Sequence, residues 1–330
     1  MRAGFRAETL NKKTLTIVFL DSHTLNPGDL DWVALEAVGT VTRYDRTAPE
    51  QVVDRLAGAD VALVNKVKLT RETLAQLPNL RYIGVTATGY DIIDLAAARE
   101  QHIIVTNVKG YSTPSVAQVT FALLLELTHH VGQHDRSVKA GEWVASPDFC
   151  YWKSPLIELA GKTLGLVGYG DIGKQVADVG RAFGMNVLVN RRHTDQQPNA
   201  GIRYVDRNAL FAESDVVSLH CPATPDTIGF VDADLLRQMK PTAFLLNTSR
   251  GSLLNEQAVA DALNEGVVAG AGLDVLATEP PRADNPLLTA RNCIITPHIA
   301  WASFEARKRL LHEVVENIRA FERGEERNRV

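Results

Sequence analysis

The sequence predicts an α/β protein made of two doubly wound lobes, each a parallel sheet with helices on both faces. Three observations support this fold class. The chain has 330 residues, and single cores stop growing near ~250–300 residues, so two domains are expected. Short apolar strands alternate with helical segments in two separate series. A long apolar helix separates the two series, so each of them is expected to form a lobe of its own.

The first series alternates buried strands with helices up to residue 105. Short β-branched runs indicate strands, and apolar residues at helical spacing indicate the segments between them. The predicted strands are Thr16–Leu20, Val41–Tyr44, Val61–Val64, Tyr82–Val85 and Ile103–Val105. The predicted helices are Leu30–Val38, Pro49–Ala57, Arg71–Leu77 and Ile92–Glu100. Strand and helix in alternation predict a parallel sheet, which completes the first lobe.

A long helix is predicted over Ser115–His130, and it is apolar on nearly every face. Such a helix must be buried, and we expect it between domains or subunits. The irregular segment 141–159 follows, and it contains four large aromatic residues: Trp143, Phe149, Tyr151 and Trp152. This aromatic arm fits either a loop packed on its own domain or a subunit interface. We favour the interface and expect a homodimer.

The second series begins at Thr163 and again alternates strands with helices. Its predicted strands are Thr163–Val167, Asn186–Val189, Val216–Leu219, Ala243–Leu246, Val268–Leu273 and Asn292–Ile295. Its predicted helices are Ile172–Phe183, Ala233–Gln238 and Glu256–Asn264. An amphipathic helix over Ser303–Arg323 is the last predicted element. The series predicts a second parallel sheet.

Charge and cysteine content narrow the function classes. The net charge is −4, with 35 Lys and Arg scattered among 39 Asp and Glu, which leaves no basic surface for nucleic acid or an anionic membrane. Three cysteines without metal-ligand spacing argue against a disulfide framework and fit a reducing compartment: Cys150, Cys221 and Cys293. The same cysteine spacing leads us to expect no metal. Residues 1–14 lack the apolar stretch of a signal peptide, so we expect a cytoplasmic protein.

A glycine motif follows the first strand of the second series and precedes a helix, which is the context that dinucleotide binding requires. Gly168 permits a tight turn, Gly170 lets the backbone approach a pyrophosphate, and Gly173 lets the helix pack closely on the strand. The free N–H groups of the helix start favour phosphate there. Rather than a plain glycine turn, the motif predicts a dinucleotide site formed by Gly168, Tyr169, Gly170, Asp171, Ile172 and Gly173.

The residues after the next strand favour NADP over NAD. An NAD site usually has Asp or Glu at this distance, where it binds the ribose hydroxyls. Here the chain has Asn190, Arg191 and Arg192, and the first acid is Asp195. The arginines fit either a solvated surface or a cationic site for the 2′-phosphate. We favour the cationic site, so NADP is the expected cofactor and NAD remains possible.

Three later segments carry the residues that reduction of a carbonyl needs: a cation, a proton donor and a group that tunes the donor. They are Asn247–Gly251, Asp274–Pro280 and Pro297–Ala300, and each comes directly after a predicted strand. Ligands bind at the carboxyl ends of strands in open α/β sheets. Arg250, Glu279 and His298 can therefore converge there, although each alone would also suit a surface position.

In order and spacing, these motifs resemble the D-isomer-specific 2-hydroxyacid dehydrogenase family over essentially the whole chain. Within the family the sequence is similar to the glycerate dehydrogenase and hydroxypyruvate or glyoxylate reductase type, on residues 110–118, 148–152 and 298–301. The carboxylate-binding turn departs from the family pattern, because Ala87 replaces the first of two glycines. The methyl group of Ala87 narrows the space in which a substrate carboxylate can approach the backbone of this turn.

The resemblance implies the domain layout. A flavodoxin-like substrate lobe comprises 1–107 and is completed by 299–330, and a Rossmann cofactor lobe comprises 108–298, with a cleft between them. It also implies transfer of a hydride between NADP(H) or NAD(H) and a small 2-oxo or D-2-hydroxy acid. Two alternatives stay open. One is a regulator that senses NAD(H) without turnover. The other is a related enzyme for another small acid such as formate, but formate dehydrogenases have Gln at the position of Glu279, which argues against that alternative.

The resemblance assigns roles to individual residues. Arg250 binds the carboxylate and carbonyl oxygen, His298 donates the proton, and Glu279 orients the imidazole and favours its charged form. The N–H groups near Thr88 and Gly89 bind the same carboxylate. Independently of the resemblance, Lys66 fits either a contact that favours a hydroxylated or acidic substrate or a solvated loop lysine. Asp274 holds the nicotinamide carboxamide. Further cofactor contacts are assigned to Cys221, Pro222, Thr227, Thr248 and Ser249.

Overall fold

The computed structural model describes residues 14–191 and 201–330, and the chain divides into two compact units. The first unit consists of the residues up to Tyr111 together with Phe304–Val330, and the second unit is Ser112–Ser303. The sequence analysis places these boundaries at 107/108 and 298/299. Each unit has its own parallel sheet, as predicted.

The described part of the first unit contains a five-stranded parallel sheet of order β2-β1-β3-β4-β5. The strands are β1 (Thr16–Phe19), β2 (Thr40–Arg43), β3 (Val61–Val64), β4 (Tyr82–Val85) and β5 (Ile104–Thr106). Both β3 and β4 are fully buried and have the predicted bounds. This strand order is the flavodoxin-like one, which confirms the predicted fold class of the lobe.

The helices of the first series are shorter than predicted: α1 (Val33–Glu36), α2 (Val52–Leu56), α3 (Arg71–Leu74) and α4 (Leu95–Glu100). Helix α1 starts three residues late because the side chain of Asn26 fixes a loop before it. That side chain accepts from the backbone N–H of Gly28 and Leu30 and donates to the carbonyl oxygen of Leu30. Local side-chain bonds of this kind compete with helix formation.

The second unit is built on a parallel sheet in which seven strands are described, in the order β12-β11-β10-β9-β6-β7-β8. The strands are β6 (Thr163–Val167), β7 (Asn186–Asn190), β8 (Ile202–Tyr204), β9 (Val216–Leu219), β10 (Phe244–Asn247), β11 (Gly270–Leu273) and β12 (Cys293–Ile295). The order reverses between β6 and β9, as in a Rossmann fold. The short edge strand β8 is absent from the sequence prediction because only Ile202 of its three residues is buried, so it lacks the apolar run that indicates a strand.

The helices of the second unit are α5 (Thr113–His129), α6 (Val131–Lys139), α7 (Asp171–Ala182), α8 (Arg207–Glu213), α9 (Ala233–Leu236) and α10 (Glu256–Asn264). The sequence analysis misses α6 and α8. The structure packs the long helix α5 against β10, β11 and α7 of its own unit, and its expected placement between domains or subunits stays a prediction. Its apolar residues, including Phe121 and Leu124, belong to the core around β6 and α7.

The last helix, α11 (Phe304–Arg323), packs in the first unit. Its Asn317 side chain donates to the carbonyl oxygen of Asn107 at 3.1 Å, and Phe321 contacts the ring of Tyr82 at 4.9 Å between centroids. Arg307 forms a two-pronged pair with Asp29, with both distances 2.6 Å. In the described part of the chain, none of the helices combines the length and apolar character of a membrane span.

Candidate active site

The glycine turn after β6 can be formed only by glycine at two positions. Gly168 has a φ of +99°, and a Cβ there would lie 2.5 Å from the carbonyl oxygen of His220. A Cβ on Gly173 would lie 2.5 Å from the carbonyl oxygen of Gly168. Because glycine has no Cβ at these two positions, the start of α7 can lie directly against the ends of β6 and β9.

Gly170 has a different role in the same turn. It is the N-cap of the 12-residue helix α7, and no described atom lies within 4 Å of the position that a Cβ would take. The first N–H groups of a helix have no partner within it and carry the positive end of its dipole. Open space at Gly170 beside these donors fits the pyrophosphate of a dinucleotide.

His220 lies partly buried beside this turn, and the sequence analysis did not select it. Its Nε2 lies 2.9 Å from the Ser218 hydroxyl, and among the described residues its buried Nδ1 has no hydrogen-bond partner. Burial lowers the pKa of His220 to about 4, so the ring is neutral at pH 7. Its position at the end of β9, beside the glycine turn, is a signal that could have been used.

The end of β7 places one predicted arginine beside the glycine turn. The backbone N–H of Gly168 donates to the carbonyl oxygen of Asn190, and the Asn190 amide donates to Val205. The guanidinium of Arg191 lies over the ring of Tyr204, 5.6 Å from its centroid. This stacking orients a positive charge next to the turn. The predicted Arg192 lies outside the described residues.

The segment after β9 contains the predicted cofactor residues Cys221, Pro222 and Thr227. The Thr227 hydroxyl donates to the carbonyl oxygen of Pro222 at 2.8 Å and accepts from the backbone N–H of Thr224 at 2.7 Å. Burial raises the pKa of the Cys221 thiol, which keeps it neutral. These bonds fold the segment into a compact turn at the end of the strand.

Arg250 is carried by a turn at the end of β10 that the Asn247 side chain builds. The amide of Asn247 donates to the carbonyl oxygen of Arg250 at 2.8 Å, and its oxygen accepts from the N–H and hydroxyl of Ser249. The Arg250 side chain is exposed and donates to the carbonyl oxygen of Ser249. Among residues 14–191 and 201–330, Arg250 pairs with no carboxylate, so its forked donors can bind an anionic ligand.

His298 and Glu279 form a direct pair. The His298 Nδ1 lies 2.6 Å from Oε2 of Glu279, whose Oε1 accepts from the backbone N–H of Leu276 at 3.0 Å. Because an ionised carboxylate only accepts, Nδ1 carries a proton in this pair. The carboxylate thereby fixes the ring orientation and directs Nε2 away from itself.

Asp274 holds the turn that carries His298. Its Oδ1 accepts from the Thr296 hydroxyl at 2.6 Å and from the N–H of Ile299, and its Oδ2 accepts from the N–H of Ala300 at 2.8 Å. Burial raises the pKa of this carboxyl. The bonds give Asp274 a structural role at the site, and the predicted contact with the nicotinamide carboxamide stays a prediction.

The topology brings the predicted residues of the second unit to one edge. The strands β12, β11, β10, β9 and β6 are consecutive neighbours and parallel. Their carboxyl ends carry the turns of His298, Asp274, Arg250, His220 and Gly168, in that order. In the described residues, no group of three or more His, Cys, Asp or Glu side chains forms a candidate metal site.

The substrate residues predicted from the N-terminal part lie in the first unit. Lys66 is exposed on the turn after β3, and the Asp21 carboxylate accepts from the N–H groups of this turn. The Thr88 hydroxyl donates to the carbonyl oxygen of Val108 at 2.9 Å, and the Asn107 amide donates to that of Thr88 at 2.7 Å. Thus the turn of Thr88 and Gly89 is anchored to the residues after β5.

Comparison with known proteins places this architecture in a family. The model described as "D-isomer specific 2-hydroxyacid dehydrogenase, NAD binding domain" matches residues 121–300. The chain is 48% identical to a hydroxypyruvate reductase of Blautia hydrogenotrophica over 94% of this chain and 98% of that protein. It is 41% identical to a glycerate dehydrogenase of Methylorubrum extorquens over 96% of this chain and 98% of that protein.

A solved structure supports the same placement. An acyclic imino acid reductase in complex with NADPH and D-Arg superposes with a TM-score of 0.84 and 32% sequence identity. The match covers 96% of this chain and 100% of that one. The family resemblance drawn from the motifs is therefore confirmed.

Proposed function

Because the chain belongs to the D-isomer specific 2-hydroxyacid dehydrogenase family and has its NAD binding domain, we propose that it reduces hydroxypyruvate and glyoxylate with NADPH. The products are D-glycerate and glycolate. The names of its relatives support the substrate class. The observation that carries the proposal is the His298–Glu279 pair, which lies at the same sheet edge as Arg250 and the glycine turn.

Arg250 binds the substrate in this proposal. A 2-oxo acid presents a carboxylate beside a carbonyl, and the forked donors of a guanidinium match such paired oxygens. The exposed guanidinium and its place at the end of β10 support this role. The Asn247 bonds fix the backbone of Arg250, so the side chain starts from a defined position.

His298 donates the proton. When bound, the reduced nicotinamide supplies the hydride for the carbonyl carbon. The proton for the carbonyl oxygen comes from Nε2 of His298, since Nδ1 is occupied by Glu279. Glu279 orients the ring for transfer, and the Asp274 bonds keep the turn in place. Lys66, Thr88 and Gly89 are proposed as further substrate contacts from the first unit.

The cofactor preference rests on Arg191. The sequence has no acid at positions 190–194 that would repel a 2′-phosphate, and the guanidinium of Arg191, stacked on Tyr204, is oriented beside the glycine turn. Charge-assisted hydrogen bonds to phosphate are worth ~1.5–3 kcal/mol each. We therefore propose NADPH as the preferred cofactor, with NADH accepted more weakly.

We also propose a homodimer, formed through the aromatic arm 141–159. Its apolar side chains face solvent in the single chain, with Val144 92% exposed, Phe149 88% and Trp152 67%. Exposed apolar clusters of this kind mark interaction sites. Light scattering should give a dimer mass for the wild type, whereas the double variant Phe149→Glu, Trp152→Glu should give a monomer mass.

A panel of 2-oxo acids, assayed with NADPH and NADH at one ionic strength, tests the function. We expect the highest kcat/KM for hydroxypyruvate or glyoxylate with NADPH. Cofactor binding without turnover of any acid would instead indicate a regulator that senses the cofactor. A clear preference for another acid would contradict the substrate assignment, and a preference for NADH would contradict the cofactor assignment.

His298→Gln tests the proton donor directly. We expect kcat to fall by ~10²–10⁴-fold while cofactor binding is retained, the usual range for a general acid. His102→Gln is the matched control because both histidines have positive φ, 55° for His298 and 57° for His102. Backbone strain is therefore similar in the two variants. Equal activity in both would overturn the role of His298.

A further inference from the structure

Helix α5 touches the turn that carries His298 through one buried hydroxyl. The Ser115 hydroxyl donates to the carbonyl oxygen of Ala300 at 2.6 Å. Ala300 follows His298 by two residues, and its own N–H is bound by Asp274. Both Ser115 and Ala300 are buried. The turn is therefore held from two sides, by Asp274 at its N–H groups and by Ser115 at its last carbonyl.

The same helix touches the turn that carries Arg250 through a second buried hydroxyl. Thr120 Oγ1 lies 3.0 Å from Thr248 Oγ1 and 2.8 Å from the carbonyl oxygen of Val116. A carbonyl only accepts, so the Thr120 proton goes to Val116 and the Thr248 hydroxyl donates to Thr120. Thr248 precedes Arg250 by two residues. The hydrogen bond from the Thr248 hydroxyl to Thr120 thus connects the Arg250 turn to the helix.

The two contacts share one rigid support. Thr120 follows Ser115 by five positions, which corresponds to a rise of ~7.5 Å along a helix. Beyond Thr120 the helix packs on β10, β11 and α7 through Phe121, Leu124 and Leu127. Displacement of either turn would have to break a buried hydrogen bond or move this packed helix.

We propose that Ser115 and Thr120 are positioning residues of the reductase, which keep His298 and Arg250 at a fixed separation by tying both turns to α5. This inference rests on the proposed function. Ser115 acts on the proton donor and Thr120 on the carboxylate clamp. Because the two turns serve different steps, loss of each hydroxyl has its own kinetic signature.

Ser115→Ala should lower kcat about 10-fold and leave the KM for the 2-oxo acid nearly unchanged, because misplacement of a reacting group costs rate. Thr120→Val, which keeps the shape and removes the hydroxyl, should raise that KM about 10-fold with a smaller effect on kcat. Thr120→Ser keeps the hydroxyl and should restore the wild-type KM. Ser115→Cys, a weak donor of similar size, should have an intermediate kcat.

Thr128→Val is the matched control. Thr128 is a buried threonine on the same helix, and its hydroxyl bonds to the carbonyl oxygens of Leu124 and Leu125 and to the neighbouring His129 ring. Its removal should change neither kcat nor KM. Thermal unfolding and NADPH binding by fluorescence, measured for every variant, separate loss of fold from loss of geometry.

The outcomes distinguish this inference from the function it rests on. Absence of turnover in the wild type would overturn the proposed function. An active wild type with unchanged kinetics in Ser115→Ala and Thr120→Val would overturn the positioning roles alone. So would equal losses in Thr128→Val, or a Thr120→Ser variant as impaired as Thr120→Val. A kcat effect at Ser115 and a KM effect at Thr120, with cofactor affinity retained, would establish them.

Discussion

Each of the two sheets has a point at which its strand order reverses, and the residues at these two points differ in kind. In the first unit the reversal lies between β1 and β3, and in the second between β6 and β9. The carboxyl ends of the strands at such a point leave a crevice where ligands commonly bind. In the first unit the chain fills this position with its own carboxylate. In the second unit it leaves the position open with glycine.

Asp21 is the carboxylate in the first unit. Its Oδ1 accepts from the N–H of Asn65 at 2.8 Å, and its Oδ2 accepts from the N–H groups of Lys66 and Val67 at 2.6 and 3.1 Å. Burial raises the pKa of Asp21, against the effect of these bonds. The result is a rigid turn at Lys66 whose N–H groups are already occupied by an internal anion.

At the glycine turn of the second unit, Gly168 and Gly173 have no room for a side chain of their own, and no described atom lies within 4 Å of the position that a Cβ on Gly170 would take. His220 beneath it is held neutral by burial. From this comparison we expect an anion site at the strand reversal of each unit. The local sequence decides whether the anion belongs to the chain or to a ligand.

Gly170→Val should produce the largest effect. The new side chain enters open space, so the fold is kept, but it blocks the approach of phosphates to the N–H groups of α7. Loss of two charge-assisted hydrogen bonds, ~1.5–3 kcal/mol each, predicts a fall of ~10²-fold or more in NADPH affinity. Titration of NADPH fluorescence measures it.

Gly168→Ala is the contrasting variant, since its positive φ and its contact with His220 should reduce thermal stability as well as affinity. Retained affinity in Gly170→Val would break the comparison, because the turn would not be the anion site.

Asp21→Ala should affect stability rather than cofactor affinity. It leaves the N–H groups of Asn65, Lys66 and Val67 without their acceptor, which predicts a loss of about 3 kcal/mol in the free energy of unfolding. Asp21→Asn keeps one acceptor oxygen and should lose less. Urea unfolding measures both variants, and NADPH titration supplies the control. A stable Asp21→Ala variant would show that the carboxylate does not hold the turn.

The two sites should respond to pH with opposite sign. His220 has a folded pKa of about 4 against 6.5 unfolded, so the unfolded state binds more protons and stability falls as pH drops below 6.5, by about 2 kcal/mol at pH 5. Asp21 has a folded pKa above its unfolded 3.8. The native state then binds more protons, so this carboxyl adds stability as pH falls through its folded pKa.

Urea unfolding between pH 7 and 4.5 separates the two contributions. The wild type should lose stability more steeply than His220→Asn, and less steeply than Asp21→Asn in the acid part of the range. Parallel curves for the wild type and His220→Asn would contradict the buried neutral state of His220.

Arg191→Ala should give the smallest effect because the guanidinium is partly exposed. Because solvent weakens this single contact with the 2′-phosphate, we expect about a tenfold loss in kcat/KM for NADPH and little change for NADH. Arg203→Ala is the matched control, because Arg203 is an exposed arginine of the neighbouring strand β8 that pairs with Glu213. Equal losses in kcat/KM with NADPH and NADH would show that Arg191 does not contact the 2′-phosphate.

Much of this protein was determined by local sequence. Strands β3, β4, β6 and β9 and helix α10 have the predicted bounds, because short runs of apolar residues and a capping Asn255 specify them without distant help. The catalytic candidates were found because parallel strands bring their ends to one edge. A motif that follows a strand is therefore placed as soon as the strand is recognised.

Tertiary structure alone decided the contacts that hold these residues in place. Asp21 reaches Asn65 across 44 positions, and Ser115 reaches Ala300 across 185. Aspartate and serine at such positions look like ordinary polar residues, since nothing local shows which distant N–H or carbonyl will face them. The neutral state of His220 has the same origin, because burial by distant segments lowers its pKa. Burial and hydrogen bonding depend on which segments meet, and periodicity along the chain does not carry that information.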